Sequence, residues 1–321
     1  MPGLAWHPAE IAFWIAAASV FFLLPSHLVL ASQVLIAGLF ALSLDLILGY
    51  AGIVSLGHAA FFGAGAYTVG LLARYGWGEP ITGLIAAGVV AMLLGYLTSH
   101  LIVRGSDLTR LMVTLGIGVM LFEAANKARS ITGGVDGLSD MVVWKLFGRF
   151  SFDLEGKTAF LYSLALAFLC FWLARRIVSS PFGLTLRGIR EGAARMPAIG
   201  APVRRRLIAI YTIAAAFAGV AGGLLAETTQ FVGLDVLSFS RSAELLIMLV
   251  LGGVGHLYGA LIGAALFMVA RDILANMNPV YWQFWLGLLL VLTVLFARGG
   301  VMGGIVALRG RLGLGEPWRP R

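Results

Sequence analysis

Five histidines (His7, His27, His58, His100 and His256) are the natural metal ligands and proton carriers of this chain. None stands four residues from another, so no pair shares a helical face in the way a zinc site needs. Glu155-Gly156-Lys157-Thr158 resembles the end of a phosphate-binding loop. That loop requires a glycine five residues before Gly156, and Ser151 stands there. No nucleophile elbow and no paired carboxylates occur, so an enzyme is not supported. Cys170, the single cysteine, has no internal disulfide partner and reads as a small apolar side chain. The polar chemistry lies elsewhere. "GYAGIVSLGHAAFFGAGAY", residues 49–67, places Gly49, Gly52, Gly57, Gly63 and Gly65 together with Ser55, His58 and Tyr67 inside an apolar region. Asp45 lies four residues upstream of it. A carboxylate near the centre of a bilayer costs roughly 2.5–3.5 kcal/mol on insertion scales and must face protein or water. Asp45 therefore either lines a path or braces a helix, with Ser55 or freed backbone amides as its alternative partners.

The elements that must position these groups follow from composition. Of 321 residues, 60% are hydrophobic and 12% charged, far below the quarter charged that is usual for soluble domains. Apolar stretches near the roughly 20 residues needed to cross a bilayer recur throughout. The expected spans are 11–30, 31–49, 57–73, 81–103, 108–126, 158–176, 207–227, 237–252, 256–273 and 280–297. The first ten residues lack Lys and Arg, so the first span is expected to be retained rather than cleaved. The net charge of +8 reports orientation, not a nucleic-acid partner, because the arginines cluster in short loops beside spans. Residues 174–206 hold eight arginines against Glu191 and are placed in the cytoplasm, with the loop proper at 177–206. Residues 127–157, of mixed charge, are placed outside. The tail arginines Arg298, Arg309, Arg311, Arg319 and Arg321 are placed inside, which requires 237–252 to count as a crossing despite Arg241 and Glu244. The expectation is a single all-α domain over 1–321 with about ten transmembrane helices (eight to ten), glycine-broken helices and both termini cytoplasmic.

Other small-residue and charged positions have quieter readings. The Gly219/Gly223, Gly259/Gly263 and Gly299/Gly303 spacings let helix backbones approach in lipid. Glu123, Arg241, Glu244, Arg271 and Asp272 read as residues near span ends, where pairing or snorkelling suffices. "SLGHAAFFGAGA" (55–66) and "GVGHLYGALIGA" (253–264) echo one another, as the halves of internally repeated transporters do. In the basic loop, Ser180 and Pro181 form a helix start. Phe182, Leu186, Ile189, Ala193 and Met196 repeat on one face, while Arg187, Glu191 and Arg195 are spaced for two favourable i,i+4 pairs. Pro197 and Gly200 end the helix. Such an amphipathic helix either rests on lipid headgroups or docks into a partner protein.

At these places the chain resembles the M-type permease subunit of bacterial high-affinity branched-chain amino acid ABC importers. The resemblance lies in "LDLILGYAGIVSLGHAAFFGAGAY" (44–67), "TLGIGV…SITGGVDGLSD" (114–140), "RGIREGAARMPAIG" (187–200) and "ELLIMLVLGGVGHLYGALIGAAL" (244–266). It differs from the family's usual pattern at Gly192, at Asp107 and Arg110, and at His256. The resemblance implies a translocation path shared with an H-type permease, two ATPase subunits below and a periplasmic binding protein above, in the inner membrane. This chain would bind no cofactor; ATP and Mg would belong to the ATPases. Substrates would be leucine, isoleucine and valine, with urea or another small polar solute as the alternative. An ion-coupled secondary transporter would need more deep ionisable residues than Asp45. The implied path residues are Asp45, Gly49, Gly52, Ser55, Gly57, His58, Gly63, Gly65, Tyr67, Gly252, Gly253 and Gly255. The implied ATPase-coupling residues are Arg187, Arg190, Glu191, Ala193, Arg195, Met196 and Gly200, in a coupling helix over 181–196.

Overall fold

The computed structural model describes residues 8–304 apart from 153–154, 280 and 297–298. The tail arginines from Arg298 onward, on which the cytoplasmic placement of the C-terminus was argued, lie outside the described residues. Among the described residues these α-helices follow one another: α1 (Pro8–Leu23), α2 (Leu28–Ala51), α3 (Ala59–Arg74), α4 (Pro80–Ile102), α5 (Asp107–Lys127), α6 (Arg129–Thr132), α7 (Lys157–Ser179), α8 (Pro181–Gly192), α9 (Val203–Thr229), α10 (Phe239–Gly252), α11 (Leu257–Met277) and α12 (Trp282–Phe296). Among the described residues there is no strand, only isolated bridges joining Leu138 to Val232 and Leu146 to Phe150.

Among the described residues, six helical segments are long and apolar enough to cross a membrane: Pro25–Ala51, α4, α5, α7, α9 and α11. The chain is an all-α, multi-pass membrane protein. Each of the ten expected spans contains a helix, but four of these are shorter than a bilayer. α1 and α3 have 16 residues, α12 has 15 and α10 has 14. At ~1.5 Å per residue these reach ~21–24 Å, against a hydrocarbon thickness of ~30 Å. The local causes are plain. Pro25 has no amide to continue α1, so the first helix stops at Leu23 rather than running to 30. α2 stops where Gly52 turns left-handed (φ +72°) and its N–H reaches the Ile47 and Leu48 carbonyls. α10 starts late, at Ser238, whose hydroxyl accepts the Arg241 N–H at 3.2 Å.

The amphipathic helix is also shorter than expected. α8 ends at Gly192, and residues 196–199 form a separate 3-10 turn closed by Gly200 in the left-handed region. Glycine weakens a helix end, and Pro197 steers the residue before it away from α geometry. Arg195 therefore falls outside the helix, and no ion pair joins Glu191 to Arg187 or Arg195.

Contacts fix which ends lie together. α1 starts beside the end of α7, where Arg175 pairs with Glu10 at 2.8 Å. α8 follows α7 directly, α9 starts after it, and Arg190 of α8 touches both the end of α2 and Gly255 before α11. Gly299 and Gly300, after α12, pack on Gly253 at this same end. The opposite, far end gathers the end of α3 with the 129–146 segment: Arg74 reaches the Ile131 carbonyl at 3.3 Å, and the Trp144 N–H reaches that of Gly78 at 2.7 Å.

The centre is built on small residues. α9 runs against α3 and α4, and a Cβ on Gly65 would lie 2.6 Å from the Gly219 Cα, while one on Gly222 would lie 2.7 Å from the Phe62 carbonyl carbon. Lipid chains are as apolar as leucine, so helices in a membrane associate through such close backbone packing rather than through hydrophobic exclusion.

Candidate functional site

The breaks after α2 and before α11 meet. Asp45, fully buried on α2, accepts the Gly255 N–H at Oδ1 over 2.7 Å. The partner is a backbone amide freed by a helix break, 210 residues away, and not Ser55. Its other oxygen, Oδ2, has no hydrogen-bond partner among the described residues. Gly49, one turn further on, leaves no room between these groups. A Cβ there would overlap the Asp45 carboxylate and stand 2.7 Å from the Gly255 nitrogen. Gly255 itself sits at φ +86°, which favours glycine.

α8 closes this joint from outside. Arg190 Nη1 donates to the Gly49 carbonyl oxygen, and Arg190 Cα would lie 3.7 Å from a Cβ on Gly52. The Arg187 guanidinium stands 5.4 Å from the Tyr50 ring centroid, in cation–π range. Gly49, Tyr50, Arg187, Arg190, Glu191 and Gly255 line a cavity of about 400 Å³ here. α8 faces inward with Leu186 and Ile189, both buried, and Phe182 and Met196 are half-buried. Its apolar stripe is thus covered by the chain's own helices and is not free to lie in headgroups. Glu191, Ala193, Arg195 and Gly200 are exposed, with Leu184 and Ile199 among them. Ala193 therefore departs from the expected inward stripe, because it lies past the end of α8.

The remaining implied path residues are interior packing positions within this chain. The Ser43 hydroxyl donates to the Phe40 carbonyl at 2.6 Å, so it accepts from His58 Nε2 at 2.9 Å. The imidazole stacks on Phe40 with centroids 5.8 Å apart. Ser55 and Tyr67 are buried. Gly57 abuts Thr114 of α5, and Gly63 abuts Leu237. Gly252 packs on Gly259, and Gly253, at φ +109°, packs on Gly299. Asp45, Gly49, Gly52, Gly255, Arg187 and Arg190 are brought together; Gly57, His58, Gly63, Gly65 and Tyr67 lie further along α3 and its approach.

A second cluster joins Arg241, Glu244, Arg271 and Asp272, which the sequence places near span ends, to Asp235, which it does not single out. Arg241 pairs with Asp235 at 3.0 Å and with Glu244 at 3.4 Å, and Arg271 lies 3.7 Å from the same Glu244. Arg241, Arg271, Asp235 and Asp272 border a cavity of about 430 Å³ between α2, α10 and α11. The available signal was the pair Arg241 and Glu244, charged within an otherwise apolar helix.

A membrane bundle with interior helix breaks and an amphipathic helix clamped across one end has the build of a transport subunit. Residues 27–294 match the family described as branched-chain amino acid transport system / permease component, and the chain belongs to that family. It is 32% identical over 299 residues to the high-affinity branched-chain amino acid transport system permease protein LivM of Escherichia coli (strain K12), covering 85% of this chain and 69% of that protein. The LivM protein of Salmonella typhimurium is 31% identical over the same shares. The probable branched-chain amino acid transport permease protein LivH of Methanocaldococcus jannaschii is 25% identical over 68% of this chain and 72% of its own length. No solved structure matches.

Proposed function

We propose that this chain is the M-type subunit of an ABC importer in the bacterial inner membrane, carrying leucine, isoleucine and valine delivered by a periplasmic binding protein. It pairs with an H-type permease and with two ATPases that hold ATP and Mg. All ten apolar helices cross, the short ones completed by their flanking breaks. α8 and both termini are cytoplasmic, and the 127–157 segment is periplasmic. Eight arginines in 174–206 support that orientation.

The observation that carries the mechanism is the bond from Arg190 to Gly49 beside Gly255. An ATPase gripping Glu191 at the end of α8, with the exposed Arg195 and Gly200 just after it, moves a helix already fastened to the α2 break and, through Asp45, to the α10–α11 break. ATP-driven closure of the ATPases is thereby delivered to two interior helix breaks at once, and the helices beyond them shift between outward and inward access. Freed backbone groups at these breaks are tolerable at membrane depth because they face protein or a polar cavity.

The test is uptake of labelled leucine and labelled urea in source cells, with and without an in-frame deletion of this chain. Leucine uptake should disappear and return with the intact chain. Glu191→Arg should restore the protein to the membrane but not uptake, with ATP hydrolysis no longer tied to transport. Loss of urea uptake alone would move the substrate, and coupled transport by the Glu191 variant would remove α8 from the mechanism.

A further inference from the structure

We infer that the far-end cavity is a binding site for a zwitterionic amino acid with an apolar side chain, Arg241 and Arg271 taking its carboxylate and Asp235 and Asp272 its ammonium. The inference rests on the permease reading and adds a place where this chain itself recognises the solute. The cavity's 430 Å³ or so falls within the ~300–1,000 Å³ usual for small-molecule sites. Its lining carries two arginines and two aspartates, with Glu244 beside both arginines, above a floor of Ile36, Phe40, Phe62, Leu245 and Met248. Opposite charges at the rim and hydrocarbon below match a molecule with both charges on one carbon and a branched apolar chain behind it. Urea would leave both the charges and the floor unused.

The rim is built to exchange partners. Arg241 divides itself between Asp235 and Glu244, while Arg271 meets Glu244 only at 3.7 Å, beyond hydrogen-bond length. The Arg271 guanidinium lies 5.2 Å from the Trp282 ring centroid, which holds it in place while its planar fork stays available to a carboxylate. Asp272 receives a 3.4 Å bond from the neutral Asn276 amide and, among the described residues, no ion pair. Ion pairs at such partly exposed positions contribute about 0–1 kcal/mol, so an incoming carboxylate displaces them at little cost. Charges kept inside a membrane bundle and facing a cavity mark solute paths.

Two measurements test this. In source cells, Arg271→Gln and Asp272→Asn should each cut leucine uptake at least tenfold at unchanged membrane abundance, and Arg271→Lys, with charge but no fork, should recover only part. In nanodiscs holding the full-length wild-type chain, saturation-transfer NMR should detect leucine but neither isocaproate, which lacks the ammonium, nor leucinamide, which lacks the carboxylate charge. Equal signals from all three compounds would overturn the site without any variant. Leucine uptake that depends on this chain but is untouched by both substitutions would overturn it too and leave the permease reading standing. Leucine uptake that never depended on the chain would overturn that reading and, with it, the ligand assigned here.

Discussion

The two ends of the bundle are built from different materials. At the α8 end, the Asp45 and Arg190 side chains bond directly to the backbone of Gly255 and Gly49, and Gly49 has no space for an added carbon, although a cavity of about 400 Å³ opens beside the joint. At the far end, Asp235, Arg241, Glu244 and Arg271 meet through side chains around an open cavity. A joint of packed backbone cannot yield, so it passes displacement on. A rim of side chains rearranges at small cost, as the proposed solute site requires. Glycine at one end and charge at the other are two answers to one problem, polar groups at membrane depth: bond them within the chain, or let them face a cavity.

The largest break in this contrast comes from Gly49→Leu. The side chain would overlap the Asp45 carboxylate and press on Gly255, and overpacking of this kind costs ~1–3 kcal/mol or more when backbone must move. Uptake should fall at least a hundredfold, with a lowered melting temperature of the purified subunit. A nearly as large addition at the far end, Ala37→Leu, enters a cavity and should keep the melting temperature. If both behave alike, the two ends do not differ in stiffness.

Arg190→Ala comes next. It removes a charge-assisted bond to the Gly49 carbonyl, worth ~1.5–3 kcal/mol, and leaves the α2–α11 contact in place. Uptake should fall roughly tenfold while ATP hydrolysis by the assembled transporter continues. Uptake and hydrolysis that fell in parallel would point to lost assembly instead of lost transmission.

How much of this was legible depended on sequence distance. The α8 start at Ser180-Pro181 follows local rules, and so does the inward placing of Leu186 and Ile189. Even the reading of Asp45 as a helix brace bonded to a freed amide was open to inspection. That the amide belongs to Gly255 was not, because nothing local links positions 45 and 255. The helix-length differences have another, local origin: Pro25, Ser238 and Gly192 stop or start helices inside stretches whose hydropathy or periodicity continues past them. Arg241 and Arg271 were passed over because a charge near a span end is ordinary, and only the fold shows that Glu244 lies between them.

Asp45 offers a smaller, cleaner separation. Asp45→Ala strands the buried Gly255 N–H, a loss of about 1–3 kcal/mol, whereas Asp45→Asn keeps an oxygen facing it. Thermal unfolding should rank wild type and Asn together above Ala. An Asn variant as unstable as Ala would mean that the negative charge, near Arg190, matters more than the acceptor.

The smallest effect separates the ends by pH. Glu79 caps α4 at the far end, outside the membrane-spanning segments, taking the Thr82 N–H at 2.8 Å. Bonds from the Thr82 side chain and backbone hold its carboxyl below the usual range. A group whose folded pKa is depressed contributes its stability above the ordinary carboxylate pKa and loses it as pH falls through the lower, folded value. The cap is exposed and its worth is screened by solvent, so acidification should loosen the first turn of α4 slightly and leave the glycine joint closed. Hydrogen exchange at residues 81–83 should quicken as pH drops below the carboxylate range, after correction for intrinsic rates, and Glu79→Ala should show the faster exchange at every pH. The Gly255 amide, bonded to a carboxylate sealed from water, should exchange slowly throughout. If it opened in step with α4, the bundle would be one cooperative body and the contrast between its ends would be chemical only, with no mechanical counterpart.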